Sequence, residues 1–253
     1  MMNATMLRAS AVLALVASLA ACSSTPPKPT PERVYPEPVF AANRIVPADS
    51  VSVTEVYDPW EGMNKRIYNF NYHFDQWVFL PVVRGWKAVV PSPARAGVHN
   101  FFENFRDVRT MANSLLQASP TKFGQSTGRV LVNSTIGLFG LIDVASSMGM
   151  AKPDEDFGQT LGRWGVATGP YLVLPIYGPS NLRDGVGLVP DSLLQNYIQG
   201  DLLAQPVRAT AFVFDSIDTR ANTSFRYYET GSAFEYQTVR WLYSTKRELD
   251  VEK

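Results

Sequence analysis

A chain of 253 residues is long enough for one large domain or two small ones. Hydrophobic residues make up 45% and aromatics 12%, which excludes a disordered chain. The 23 basic and 23 acidic side chains exclude the one-signed field of a nucleic-acid binder or of a polybasic grip on anionic lipid. A single cysteine, Cys22, excludes an internal disulfide and a cysteine-built zinc site.

Arg8 followed by the apolar run 9–21, rich in small residues, reads as a signal peptide over residues 1–21, too short to span a bilayer. It ends in Leu19-Ala20-Ala21-Cys22, which resembles a bacterial lipobox; the other reading is a plain secretory signal with a chance cysteine. The lipobox implies diacylglycerol on Cys22 and cleavage before it, and Ser23 rather than Asp implies export to the outer membrane. Cleavage leaves 22 basic and 23 acidic side chains, a net charge of −1. Several acyl chains anchor firmly, since each buried methylene contributes ~0.8 kcal/mol.

Residues 22–56 read as a lipidated tether and arm. Six prolines in 23–40 dictate an extended polyproline-like chain, and the weak alternation of Val51 and Val53 suggests a short strand or arm over 45–56. Residues 57–250 read as a single, mostly α-helical domain. Asp58-Pro59-Trp60-Glu61 has the pattern of a helix start, with Asp58 as N-cap. Trp60, Met63, Ile67, Phe70, Phe74 and Trp77 form one apolar stripe at 3.6-residue spacing, ending before Pro81. Beside it runs a polar stripe of Asn64, Tyr68, Asn71 and Asp75, which fits either the polar side of an amphipathic passage or ordinary surface. Further helices are expected near 82–90, 92–105, 107–118, 121–136, 139–148, 191–198, 205–218 and 233–248. The run from Gln125 to Met150 is apolar nearly all round in its middle, so it faces protein or lipid. No sheet pattern stands out.

Between Arg163 and Arg183 lie nineteen uncharged residues, long enough to span a bilayer as a helix. Pro170, Pro175 and Pro179 forbid one continuous helix, and Pro175 argues against a central strand. The segment is expected to be non-helical, either a tightly packed loop or wall at membrane depth, where irregular backbone survives only in protein or beside a wet cavity. Gly162, Trp164, Gly165, Gly169 and Tyr171, with Asn64, Tyr68 and Asn71, are the candidate channel-lining residues.

Catalytic signals are sparse. His73 and His99 fall on separate helices, and no phosphate-binding loop is present. Asp156-Phe157-Gly158 lacks the other loops of a kinase, and Asp154 to Phe157 reads as a solvated acidic turn rather than a cation site. The expectation is no enzyme, no catalytic residues, no metal and no cofactor.

The stretches YDPWEGMNKRIYNFNYHFD, NFFENFRDV, NSLLQASP, RVLVNSTIGLFGLIDVAS and DFGQTLGRWGVATGPYLVLPIYGPSNLRD, in that order, resemble the MlaA/VacJ family of outer-membrane lipoproteins. YETGSAFEYQTVRWLYSTKRE is similar to the family's last helix, while the acidic tail of some members is missing. The resemblance implies a ring-like bundle of amphipathic helices in the inner leaflet of the outer membrane, lipid-anchored on the periplasmic side. It implies an amphipathic channel that removes mislocalised phospholipid from the outer leaflet, with a trimeric porin and a soluble periplasmic lipid carrier as partners, and no nucleic acid. The competing readings are a structural lipoprotein that scaffolds porins or the envelope, and a lipid-degrading enzyme.

Overall fold

The computed structural model describes residues 35–36, 56–202 and 205–253. The expected signal peptide, Cys22, the tether and the arm through residue 55 lie outside these apart from Tyr35 and Pro36. Helix α1 (Glu61–Phe74) runs through a π-helical turn (Asp75–Phe79) into α2 (Leu80–Val89). Next come α3 (Ser92–Leu116), α4 (Pro120–Thr135), α5 (Val144–Ser147) and α6 (Phe157–Arg163). A hairpin of β1 (Tyr171–Leu174) and β2 (Gly178–Asn181) leads into α7 (Leu182–Leu202), α8 (Gln205–Asn222) and α9 (Glu235–Glu252). The domain is mostly α, as the periodicity dictates. Among the described residues no helix is long and apolar enough to cross a membrane.

Several boundaries differ from the sequence expectation for physical reasons. Asp58 does not cap α1, which starts at Glu61 after Trp60; its carboxylate instead accepts from Asn64, Tyr236 and Arg240. Pro81 does not end the first helix, because the wide π turn just before it absorbs the missing N–H. The expected helices 92–105 and 107–118 are one, α3. The expected helix at 139–148 is a series of turns with only α5 helical, since Gly140 sits at φ +87°. Helix α7 starts nine residues early and carries Pro190 inside it.

The Gly/Pro segment is not strand-free. Its middle is an antiparallel hairpin pairing Tyr171 with Asn181 and Leu174 with Gly178. Pro175 falls in the turn, and Pro179 lies on a strand with no neighbour beyond β1, where a missing N–H is tolerated.

Candidate functional site

Among the described residues the interior is polar and the surface apolar. Nine hydrophobic residues are buried, against twenty-three polar or charged ones. In α1 the apolar stripe points outward: Trp60, Met63, Phe70 and Trp77 are exposed, Trp77 by 72%. The polar stripe points inward, with Asn64 fully buried and Tyr68, Asn71 and Asp75 nearly so. Helix α4 repeats the inversion, burying Ser126, Arg129 and Asn133 and exposing Leu131.

The two asparagines of α1 explain that stripe. Asn64 Nδ2 donates to the Tyr171 carbonyl at 3.1 Å, and its Oδ1 accepts from the Val173 N–H at 2.9 Å. Asn71 Nδ2 donates to the Leu174 carbonyl at 2.9 Å and its Oδ1 accepts from the Ile176 N–H at 2.7 Å. Seven helical residues rise about 10.5 Å and three strand residues about 10 Å, so amides at i and i+7 match a strand of this length. They pair the open edge of β1 as a third strand would. Tyr68, between them, donates to Glu235 Oε1 at 2.5 Å and meets Tyr227, Tyr228 and Tyr236 edge-on. With Tyr171, Val173 and Tyr236 it forms the main apolar cluster, which joins α1, the hairpin and α9.

Asn71→Leu should therefore strand two backbone groups of the hairpin. At about 1–3 kcal/mol for each unsatisfied buried group, the expected loss is several kcal/mol, read as a lower unfolding midpoint and lower abundance. An unchanged midpoint would show that these two hydrogen bonds contribute little to stability.

The other members of the candidate set lie apart. Trp164 is exposed, with its indole Nε1 donating to the Leu116 carbonyl at 3.1 Å. A methyl on Gly162 would sit 2.6 Å from the Val251 side chain, so this glycine lets α6 approach α9. Gly165 and Gly169 hold φ +87° and +70°; the first faces open space and the second backs onto Leu182. The structure thus brings Asn64, Tyr68, Asn71 and Tyr171 together inside the protein, and leaves Trp164, Gly165 and Gly169 at the surface.

The acidic turn is solvated only at Asp154; its other two carboxylates are drawn into the protein. Glu155 is buried and accepts from Lys122 at 2.5 Å. Asp156 caps α6 through the Gln159 N–H and takes both Arg247 Nη atoms at 2.7 and 2.8 Å. Arg247 Nε reaches Asp184 at 2.6 Å, and Asp184 also accepts from Tyr243 and Asn181. Burial disfavours the charged form of Asp156, but Arg247 and the Gln159 N–H outweigh it and hold the carboxyl at about 2. A second buried node joins Arg129 of α4 to Asp107 of α3 and to Asp143.

Sequence reasoning missed the apolar turns. Leu138 and Phe139 hold φ +54° and +57° and are exposed, Phe139 by 79%. Ile176, at the hairpin tip, holds φ +70° and is exposed beside Tyr177. Asn, Asp or Gly would occupy such backbone with less strain. Bulky apolar residues in strained, exposed turns mark a surface selected for contact with something apolar.

The described residues thus form a helical body with a hydrogen-bonded polar interior and an apolar exterior, and none of its helices is long and apolar enough to cross a membrane. A model of the MlaA lipoprotein family matches residues 56–250, and the chain belongs to that family. An uncharacterised protein of Rickettsia prowazekii (strain Madrid E) is 40% identical over 149 residues, 59% of this chain and 58% of its own. The intermembrane phospholipid transport system lipoprotein MlaA of Shigella flexneri is 39% identical over 171 residues, 65% of this chain and 66% of its own. The chain thus spans under two thirds of the length of both relatives. A solved chain from work on the structural basis for maintenance of bacterial outer membrane lipid asymmetry is 32% identical, with a TM-score of 0.63, covering 78% of this chain and all of that one.

Proposed function

We propose that this chain is an outer-membrane lipoprotein of an intermembrane phospholipid transport system. It removes misplaced phospholipid from the outer leaflet through an amphipathic passage and hands it to a soluble periplasmic carrier, seated beside a trimeric porin in the inner leaflet. The observation that carries this reading is the inversion: buried Asn64, Asn71, Arg129 and Asn133 beneath exposed Trp77, Leu131, Leu138 and Phe139. An exterior of that kind is at ease in lipid, and a polar interior is at ease beside headgroups and water. Trp164, Gly165 and Gly169, exposed on the Gly/Pro segment, are the candidates for the passage wall.

The energetics fit transport rather than catalysis. A phospholipid with roughly thirty tail methylenes loses on the order of 20 kcal/mol if released into water, at ~0.8 kcal/mol each. Its charged headgroup meets the opposite cost in the apolar core. A passage polar on one side and apolar on the other lowers both, and the carrier supplies direction. Purified protein should release intact phospholipid on extraction; lyso-lipid or free fatty acid would point to an enzyme, and no lipid to a scaffold.

The anchor has its own test. Cys22→Ser removes the only thiol that can take diacylglycerol, so the variant should accumulate as uncleaved or soluble precursor. Palmitate labelling of that variant at the wild-type level would refute the lipobox.

A further inference from the structure

A cavity of about 290 Å³ opens where the end of α2, the start of α3 and the end of α8 meet; Trp86, Lys87, Ser92, Arg95, His99 and Asn222 line it. Its electrostatics are lopsided. Arg95 Nη1 donates to the Lys87 carbonyl at 3.0 Å, which holds the guanidinium beside the lysine. Neither cation has a carboxylate partner among the described residues, although most basic side chains of the domain do. One carboxylate lines the cavity, Asp218, and both its oxygens are engaged, by His99 Nδ1 at 2.8 Å and Asn222 Nδ2 at 3.0 Å. The buried indole N–H of Trp86 has no acceptor among the described residues. Two cations without carboxylate partners around one cavity are complementary to an oxyanion.

The walls favour an oxyanion that carries apolar chains. Trp86 packs on Phe214 with ring centroids 5.4 Å apart, joining α2 to α8. On either side of that contact Val82 and Val89 of α2 and Phe212 and Val213 of α8 are exposed. The volume lies at the low end of small-molecule sites, ~300–1,000 Å³, enough for a phosphate and its short alcohol and not for acyl tails.

We propose that this cavity holds the phosphate of a glycerophospholipid headgroup, with Lys87 and Arg95 as countercharges, Trp86 as part of its wall and the tails along the exposed faces of α2 and α8. The inference rests on the phospholipid reading above and assigns its headgroup site. Full-length lipidated protein in detergent would be titrated with glycerophosphoethanolamine and, separately, with inorganic phosphate. The Trp86 indole N–H resonance, assigned with Trp86→Phe, reports occupancy. The tail-free headgroup ester should shift that resonance saturably. Lys87→Gln with Arg95→Gln should weaken binding at least tenfold at an unchanged unfolding midpoint, and Lys87→Arg with Arg95→Lys should restore it.

A shift with inorganic phosphate alone would overturn the headgroup assignment in favour of a free-phosphate site. No shift with either, or a shift indifferent to the glutamine pair, would overturn the site itself. Phospholipid clearance in cells separates this from the parent reading. Clearance without headgroup binding rejects the cavity and keeps transport; headgroup binding without clearance rejects transport and keeps the cavity.

Discussion

Arg247→Leu is expected to cost about 3–5 kcal/mol of stability, enough to remove most folded protein from cells. Arg247 is the buried cation that α9 inserts between Asp156 of α6 and Asp184 of α7. Its loss takes the bidentate partner from Asp156 and leaves Asp184 with Arg183 alone, and it removes the ion pairs that tie the last helix to α6 and α7. The pH profile carries a second signature. The Asp156 carboxyl sits at about 2, below its ordinary value of 3.8, so its contribution is complete above about pH 4 and fades as pH falls through 2. In the variant that dependence should flatten or reverse, because an unpaired buried carboxylate is relieved by protonation. Unfolding midpoints measured from pH 7 to pH 3 in the same detergent check both statements; a wild-type midpoint in the variant would show that α9 is held by other contacts.

Leu138→Asn with Phe139→Asn is expected to act in opposite directions on fold and on membrane. Both residues hold left-handed backbone that asparagine tolerates better, so stability in detergent should stay level or rise slightly. Both are exposed, so no core contact is lost. If they sit in lipid, each surrenders about 1.5–3 kcal/mol of apolar burial, and partition into vesicles should fall by roughly a hundredfold or more. A soluble form lacking residues 1–22, floated with phospholipid vesicles, isolates this effect from the acyl anchor. Unchanged flotation would mean that the turn contacts protein rather than lipid.

These two expectations separate what the sequence made legible from what it did not. Helices α1, α4 and α9 were readable because Trp60 to Trp77 and similar runs keep a 3.6-residue period. Periodicity marks two faces without saying which is inside. In water the apolar stripe of α1 would be the core, and here Asn64 and Asn71 take that place. The hairpin was hidden because Gly178, Pro179, Ser180 and Asn181 include no strand-former; the sequence of β2 carries no β signal, and its partner edge is completed by side chains of a helix more than a hundred residues away. Helix α7 was half hidden by Gly185, Gly187 and Pro190, all poor helix formers. Gly187 is there for packing, since a methyl on it would lie 2.6 Å from the Gly158 amide nitrogen of α6. The buried ion pairs of Asp156 and Arg129 were equally out of reach, because charges close in space and remote in sequence leave no local pattern.

The family resemblance was legible from the ordered motifs of residues 57–190. The assignment of single residues to a passage was not, since a buried polar stripe and a passage wall share one sequence pattern. Asn64 and Asn71 bond the hairpin backbone and Tyr68 bonds Glu235 of α9, whereas Trp164, Gly165 and Gly169 lie at the surface.

The measurement that bears most directly on the central claim is outer-leaflet phospholipid in cells with and without this chain, read by surface labelling or by an outer-leaflet phospholipase. Cells lacking it should accumulate surface phospholipid. Restoring the wild-type chain should return it to the basal level, whereas the Leu138→Asn, Phe139→Asn chain should not. Equal surface phospholipid in cells with and without the chain would contradict the transport function.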